Sequence, residues 1–194
     1  MADTALLQSI WLCLPLTLGG ITHVAVIRRN ALPSLAQWPL DGGMQFRGRD
    51  LFGANKTVRG AIVMICATIF WTVVLDGLQA GLNLAAGLRY IPKEQLGSIA
   101  QGALLGSAYI VGELPNSFIK RQLNIPPGSA ATGFLKILFW FIDQADSAVA
   151  IMIVLCFFKP PDFAVYLWII ALTLILHPII AALMVAIGLK QRVG

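Results

Sequence analysis

The chain has 194 residues, 58 % of them hydrophobic and only 12 % charged, with a mean hydropathy of +0.79. A soluble domain carries about 25 % charged residues, so half that share excludes a water-coated surface and leaves an integral membrane protein. The formal net charge of +5 then reports orientation rather than nucleic-acid binding, and three cysteines in apolar runs (Cys13, Cys66 and Cys156) exclude a disulfide framework.

Residues 5–27 carry no charge before Arg28 and Arg29, and about 20 apolar residues suffice to span the hydrocarbon core. The run is too long, and the flank holding Asp3 too acidic, for a signal peptide. A polar stretch follows to Arg59. The second span is expected over 60–82, with Asp76 interfacial near its far end, and a short polar loop over 83–95. The third span is expected over 96–114, where Gly102 and Gly106 have the GxxxG spacing that lets membrane helices approach closely. A second polar loop covers 115–133. A fourth span is expected over 134–158, a turn at Lys159–Asp162, and a fifth span over 163–188 with a kink at Pro178. No polar linker divides the chain, so 1–194 reads as a single all-α transmembrane domain with five helices.

Five spans put the 28–59 loop, the 115–133 loop and the C-terminal tail on one side, with 11 basic residues once Lys136, Lys190 and Arg192 are included. The other side has three, Arg89, Lys93 and Lys159. The positive-inside rule places the N-terminus outside, the C-terminus in the cytoplasm and both polar loops at the cytoplasmic face of the cell (inner) membrane.

Those loops hold the chemistry-bearing residues. Asp143 and Asp146 are three apart, so on a helix they share a face. Glu113 closes the expected third span. Carboxylates at membrane depth are functional candidates by default, and three near one opening suit Mg²⁺, which is held by a few carboxylates plus substrate phosphates. The same residues also read as a structural cluster neutralised by Lys120, Arg121 or Lys136. The loop from Asp41 to Gly60 is glycine-rich and carries Arg47, Arg49, Lys56 and Arg59 ahead of a helix. Such a loop offers backbone amides and cations to phosphates, or it rests on anionic lipid heads; it lacks the spacing of a P-loop. His23 and His177 lie inside spans, where helix–helix hydrogen bonding is the plainer reading.

The three motifs taken together resemble those of the CDP-archaeol synthase family, relatives of the CDP-diacylglycerol synthases. The first is matched by Arg49, Leu51, Phe52, Gly53, Asn55, Lys56, Thr57, Arg59 and Gly60; the second by Gly112, Glu113, Ser117, Phe118, Lys120, Arg121, Leu123, Ile125 and Gly128; the third by Asp143, Gln144 and Asp146. His177, Gly188, Leu189 and Lys190 in the last helix are similar as well. Two departures stand out: Glu113 occupies a position where the family more often has Asp, and the 129–142 segment is longer than the family's usual link. It is an interfacial helix or an early start to the fourth span.

The resemblance implies Mg²⁺-dependent transfer of CMP from CTP to a membrane lipid phosphate, archaeol-type or phosphatidic acid, with release of pyrophosphate. Glu113, Asp143 and Asp146 would hold the metal and, with Lys120, form the catalytic group. Arg49, Asn55, Lys56, Thr57, Arg59, Ser117, Lys120, Arg121 and Gln144 would bind substrate. A phosphate monoester is mostly dianionic at neutral pH, so the attacking group needs charge neutralisation rather than a base. A homodimer is a candidate assembly. Two other classes fit the same features: a CTP- or ATP-dependent lipid kinase, and a non-catalytic transport or assembly protein. Against transport, the polar motifs gather on one side rather than at the midplane.

Overall fold

The computed structural model describes residues 2–160 and 162–188. The expected Leu189, Lys190 and Arg192 of the tail, Met1 of the N-terminal flank and position 161 of the turn lie outside the described residues. The chain is mostly helical. Five long helices, α1 (Ala2–Arg28), α3 (Val58–Gly81), α4 (Ser98–Gln122), α5 (Phe134–Leu155) and α6 (Phe163–Ala186), are joined by a short α2 (Pro33–Ala36), a 3₁₀ turn at Ala86–Leu88 and a two-stranded hairpin, β1 (Gln45–Phe46) and β2 (Arg49–Asp50). Four of them, α1, α3, α5 and α6, are long and apolar enough to cross a membrane.

The helices pack as a closed ring, α1 beside α3, α3 beside α4, α4 beside α5, α5 beside α6, and α6 back beside α1. Leu12, Met64, Leu105, Leu155, Val165 and Ile169 fill its interior. The outward face stays apolar: Phe134 and Phe163 are each 77 % exposed, as lipid-facing side chains are. Cys66 and Cys156 also face outward rather than into the core.

Glycine sets the tightest contacts. A methyl group on Gly102 would sit 2.5 Å from the Cα of Ile69, and one on Gly106 would sit 2.9 Å from the Cα of Ile65. The GxxxG pair therefore lets the α4 backbone lie directly on α3. Gly112 does the same toward α5, where a Cβ would meet Ala150 Cβ at 2.7 Å and the Asp146 carbonyl at 3.0 Å.

One end of the ring is sealed by a buried polar network. Arg89 is paired with Asp76 at 2.9 Å, both side chains at most 6 % exposed; it also donates to the Leu96 carbonyl at 2.8 Å and to Gln101. Tyr90 and Ile91 are fully buried, and Gln95 donates to the Phe158 carbonyl. Asp76 is thus a buried structural partner of Arg89.

Three elements differ from the expected ones. The hairpin breaks the all-α pattern: Arg47 and Gly48 both have positive φ, the geometry of a tight hairpin turn. The strands are only two residues each, too short for an alternating pattern. Helix α4 runs on through Pro115 to Gln122, so residues 115–122, expected in a loop, extend the third helix by two turns. Pro115 leaves the Val111 carbonyl without its helical donor but does not end the helix. The long 129–142 segment resolves into an early start: α5 is continuous from Phe134, which puts Asp143 about 13 Å along its axis. The small cluster of Ile125, Ala131 and Phe139 fastens the preceding linker to it.

Gly102→Ala should lower stability by about 1–3 kcal/mol through forced separation of α3 and α4. Gly77→Ala, with open space around its Cα, should be neutral or slightly stabilising. Thermal unfolding of both variants in detergent checks the contrast.

Candidate active site

The other end of the ring carries the motif residues. Read as a helix, the polar half of α4 places Glu113, Asn116, Ser117 and Lys120 at spacings of three and four, on one face. That face meets α5 where Asp143 and Asp146 also lie three apart. Asn116 Nδ2 donates to Asp143 Oδ1 at 2.6 Å and to Asp146 Oδ2 at 2.8 Å. Lys120 pairs with Asp143 and lies 5.3 Å from the centroid of the Phe139 ring. Asp146 accepts a further bond from the Ser147 amide at 2.6 Å.

Glu113 does not join the two aspartates. It pairs with Lys56 from the glycine-rich loop, one turn before Asn116 on α4. Among the described residues no group of three or more His, Cys, Asp or Glu side chains gathers as a metal cluster. Asp143 is matched by Lys120, Asp146 by Asn116 and the Ser147 amide, and Glu113 by Lys56.

The loop of residues 41–57 is held in place from within. Buried Asp41 accepts the Gly43 amide at 3.0 Å and the Phe52 amide at 2.9 Å, while Leu40 donates to the Lys56 carbonyl at 2.8 Å. The hairpin then clamps the end of α4. Arg49 donates to the Gln122 carbonyl, and Phe46 contacts Phe118 with ring centroids 5.8 Å apart. Gly53, at φ 91, leaves room that a Cβ would take from Pro127 and Arg121. Arg121 is buried beneath it, its Nε and Nη1 unpartnered.

The remaining expected binders have other posts. Thr57 caps α3 by accepting the Gly60 amide at 3.2 Å. Arg59 reaches away from the carboxylates, to Asn30 Oδ1 at 3.3 Å and the Ala31 carbonyl at 3.2 Å. Asn55 is exposed on the loop. Ser117 and Gln144 are buried at the α4–α5 contact. Lys56 and Lys120 are thus the cations paired with the motif carboxylates Glu113 and Asp143, while Arg121 lies under the loop at Gly53.

Sequence reasoning missed Asn116, Asp41 and the apolar space beneath the site. A cavity of about 180 Å³ runs inside the ring, lined by Leu16, Met64, Ile151 and Ile169 and bordered by Glu113, Ser147, Tyr109, His23 and His177. The signal for Asn116 was present as the 113, 116, 117, 120 spacing, visible only once 115–122 is read as helical.

A model of the CarS-like CDP-archaeol synthase family matches residues 3–193. The chain belongs to the CDP-archaeol synthase family. It is 28 % identical over 166 residues to the CDP-archaeol synthase of Methanoculleus marisnigri, covering 79 % of this chain and 87 % of that one. It is 30 % identical over 144 residues to the enzyme of the same name from Thermococcus onnurineus, covering 72 % of each. A solved structure described as an intramembrane enzyme for archaeal membrane lipids biosynthesis superposes with a TM-score of 0.57 at 24 % identity, over 93 % of this chain and 92 % of that one. The family resemblance read from the three motifs is thereby confirmed, and the chain is a multi-pass membrane enzyme.

Asp41→Ala should free the Gly43 and Phe52 amides and loosen the loop without altering the helices. Limited proteolysis should show faster cleavage within residues 42–56, with unchanged far-UV circular dichroism.

Proposed function

We propose that this enzyme transfers CMP from CTP to the phosphate of a membrane lipid of the archaeol type, using a divalent cation, Mg²⁺, at the α4–α5 contact. The observation that carries the reading is the meeting of the three motifs at one end of the ring, Lys56 and Lys120 paired with carboxylates, directly above an apolar cavity. The names of the relatives supply the lipid class.

In the transfer, a lipid phosphate oxygen forms a new bond to the α-phosphorus of CTP while the bond from that phosphorus to the β-phosphate oxygen breaks and pyrophosphate leaves. A dianionic phosphate needs no general base, but two polyanions must approach. Lys56, Lys120 and Arg121 supply the positive charge for this, and preorganised charge acts strongly where water is scarce. Lys56 and Lys120 are now paired with Glu113 and Asp143, so phosphates would take over cations already in position. The donor set suits a hard cation: Asp143 Oδ1 and Asp146 Oδ2 converge on a single nitrogen-occupied point, and all-oxygen sets are what Mg²⁺ prefers. When bound there, Mg²⁺ would neutralise phosphate charge and polarise the α-phosphate. The apolar cavity, bordered by Glu113, gives a lipid chain space beside the reacting phosphates.

The topology that fits is five spans with the N-terminus outside and the site facing the cytoplasm, where CTP is found. Helix α4, about 37 Å long at the usual rise per residue, then crosses as a fifth span despite its polar lower half. The excess of Lys and Arg at the site end supports this orientation.

The test uses purified protein, Mg²⁺ and α-labelled CTP, offered separately an archaeol-type lipid phosphate and phosphatidic acid. Label should enter the lipid phase with the archaeol-type acceptor, and Asp143→Asn should reduce that transfer by at least about 100-fold while remaining folded. Transfer to phosphatidic acid alone would refute the lipid assignment; a phosphorylated lipid with release of nucleoside diphosphate would refute cytidylyl transfer.

A further inference from the structure

Asn116 sits between the two aspartates in a way that a purely structural clasp does not explain. Its side chain is 7 % exposed. Its amide nitrogen donates to Asp143 at 2.6 Å and Asp146 at 2.8 Å, yet its Oδ1 is buried with no hydrogen-bond partner. A buried carbonyl oxygen without a donor is costly. The nitrogen lies within 2.8 Å of both carboxylate oxygens, the position from which a third oxygen could join them around a cation.

We propose that Asn116 is a ligand of the divalent cation, its amide turning over when the metal arrives so that Oδ1 joins Asp143 and Asp146. The inference rests on the metal reading above and adds a residue to it. An amide has two nearly isosteric ends, one donor and one acceptor. In this structure the NH₂ end satisfies both carboxylates and prevents repulsion between them. A half-turn about the Cβ–Cγ bond presents the oxygen at the same place and completes a three-oxygen set from two helices, leaving further positions for phosphate oxygens and water, as Mg²⁺ sites usually have. The half-turn supplies the orphaned Oδ1 with a partner and carries the NH₂ to the position that Oδ1 now holds. Lys120, now on Asp143, would be released toward substrate phosphates by the same event. The neighbouring Glu113, paired with Lys56 in this structure, is not needed to complete the set.

A clasp and a ligand make opposite forecasts for Asn116→Leu, which keeps the size but removes both ends. If Asn116 only competes with the metal, its removal frees the carboxylates and binding tightens. If it is a ligand, binding weakens. Mn²⁺ held by the protein at equilibrium with Mn²⁺ and CTP, measured by dialysis against the same Mn²⁺–CTP solution so that nucleotide-chelated metal is subtracted, separates them without any need for turnover. The expected result is at least a 10-fold loss of Mn²⁺ affinity in Asn116→Leu. Asn116→Asp, which retains an oxygen, should bind at least as tightly as the unaltered protein, and serves as the second test if the leucine variant does not fold. Equal or tighter binding by Asn116→Leu, or weakened binding by a folded Asn116→Asp, would overturn the proposal while leaving a metal at Asp143 and Asp146. An unaltered protein that binds no Mn²⁺ with CTP would sink the metal reading and this inference with it.

Discussion

The close seating of α4 between α3 and α5 is the constraint on which the site depends. Gly102 and Gly106 let α4 lie against the α3 backbone, and Gly112 lets it lie against α5 at Asp146 and Ser147. Since α3 begins where the glycine-rich loop ends, these contacts bring the loop's Lys56 to Glu113. They also bring α5's aspartates to Asn116 and Lys120. Three segments distant in the chain meet because one helix has no side chains at the points of contact. With little hydrophobic drive between helices in lipid, backbone proximity of this kind is a principal source of association.

The polar groups at the two ends of the ring are treated differently. At the sealed end, Arg89 and Asp76 are almost fully buried and tied to backbone and Gln101, an arrangement that fixes structure. At the site end the pairs are partly open, with the Asp143 side chain 41 % exposed, and several buried polar atoms, including those of Arg121, Asn116 and Gln144, lack partners. Internal pairing keeps isolated charges out of a low-dielectric setting.

Much of this was legible from residue order. Four helices declare themselves through length and apolarity alone, and the three motifs carried the family. The polar half of α4 was less legible because Pro115, Asn116 and the basic pair have loop-like composition, and burial against α5 and the hairpin, rather than propensity, keeps them helical. Reading that segment as a loop hid the 113, 116, 117, 120 face and with it Asn116. Thr57 and Arg59 look like phosphate ligands in sequence; in the structure Thr57 also caps α3, and Arg59 bonds Asn30 and the Ala31 carbonyl through Nη1 while its Nε has no partner. The hairpin was hidden for a simpler reason: two-residue strands have no period to detect.

The central claim is that nucleotide phosphates and a divalent cation meet where α4, α5 and the loop converge. An experimental structure with CTP and Mn²⁺, with the metal located by its anomalous scattering, tests it most directly. The account predicts the metal bound by Asp143 and Asp146, with the triphosphate against Lys56, Lys120 or Arg121. A nucleotide lodged elsewhere, or a metal bound away from α4 and α5, would contradict it.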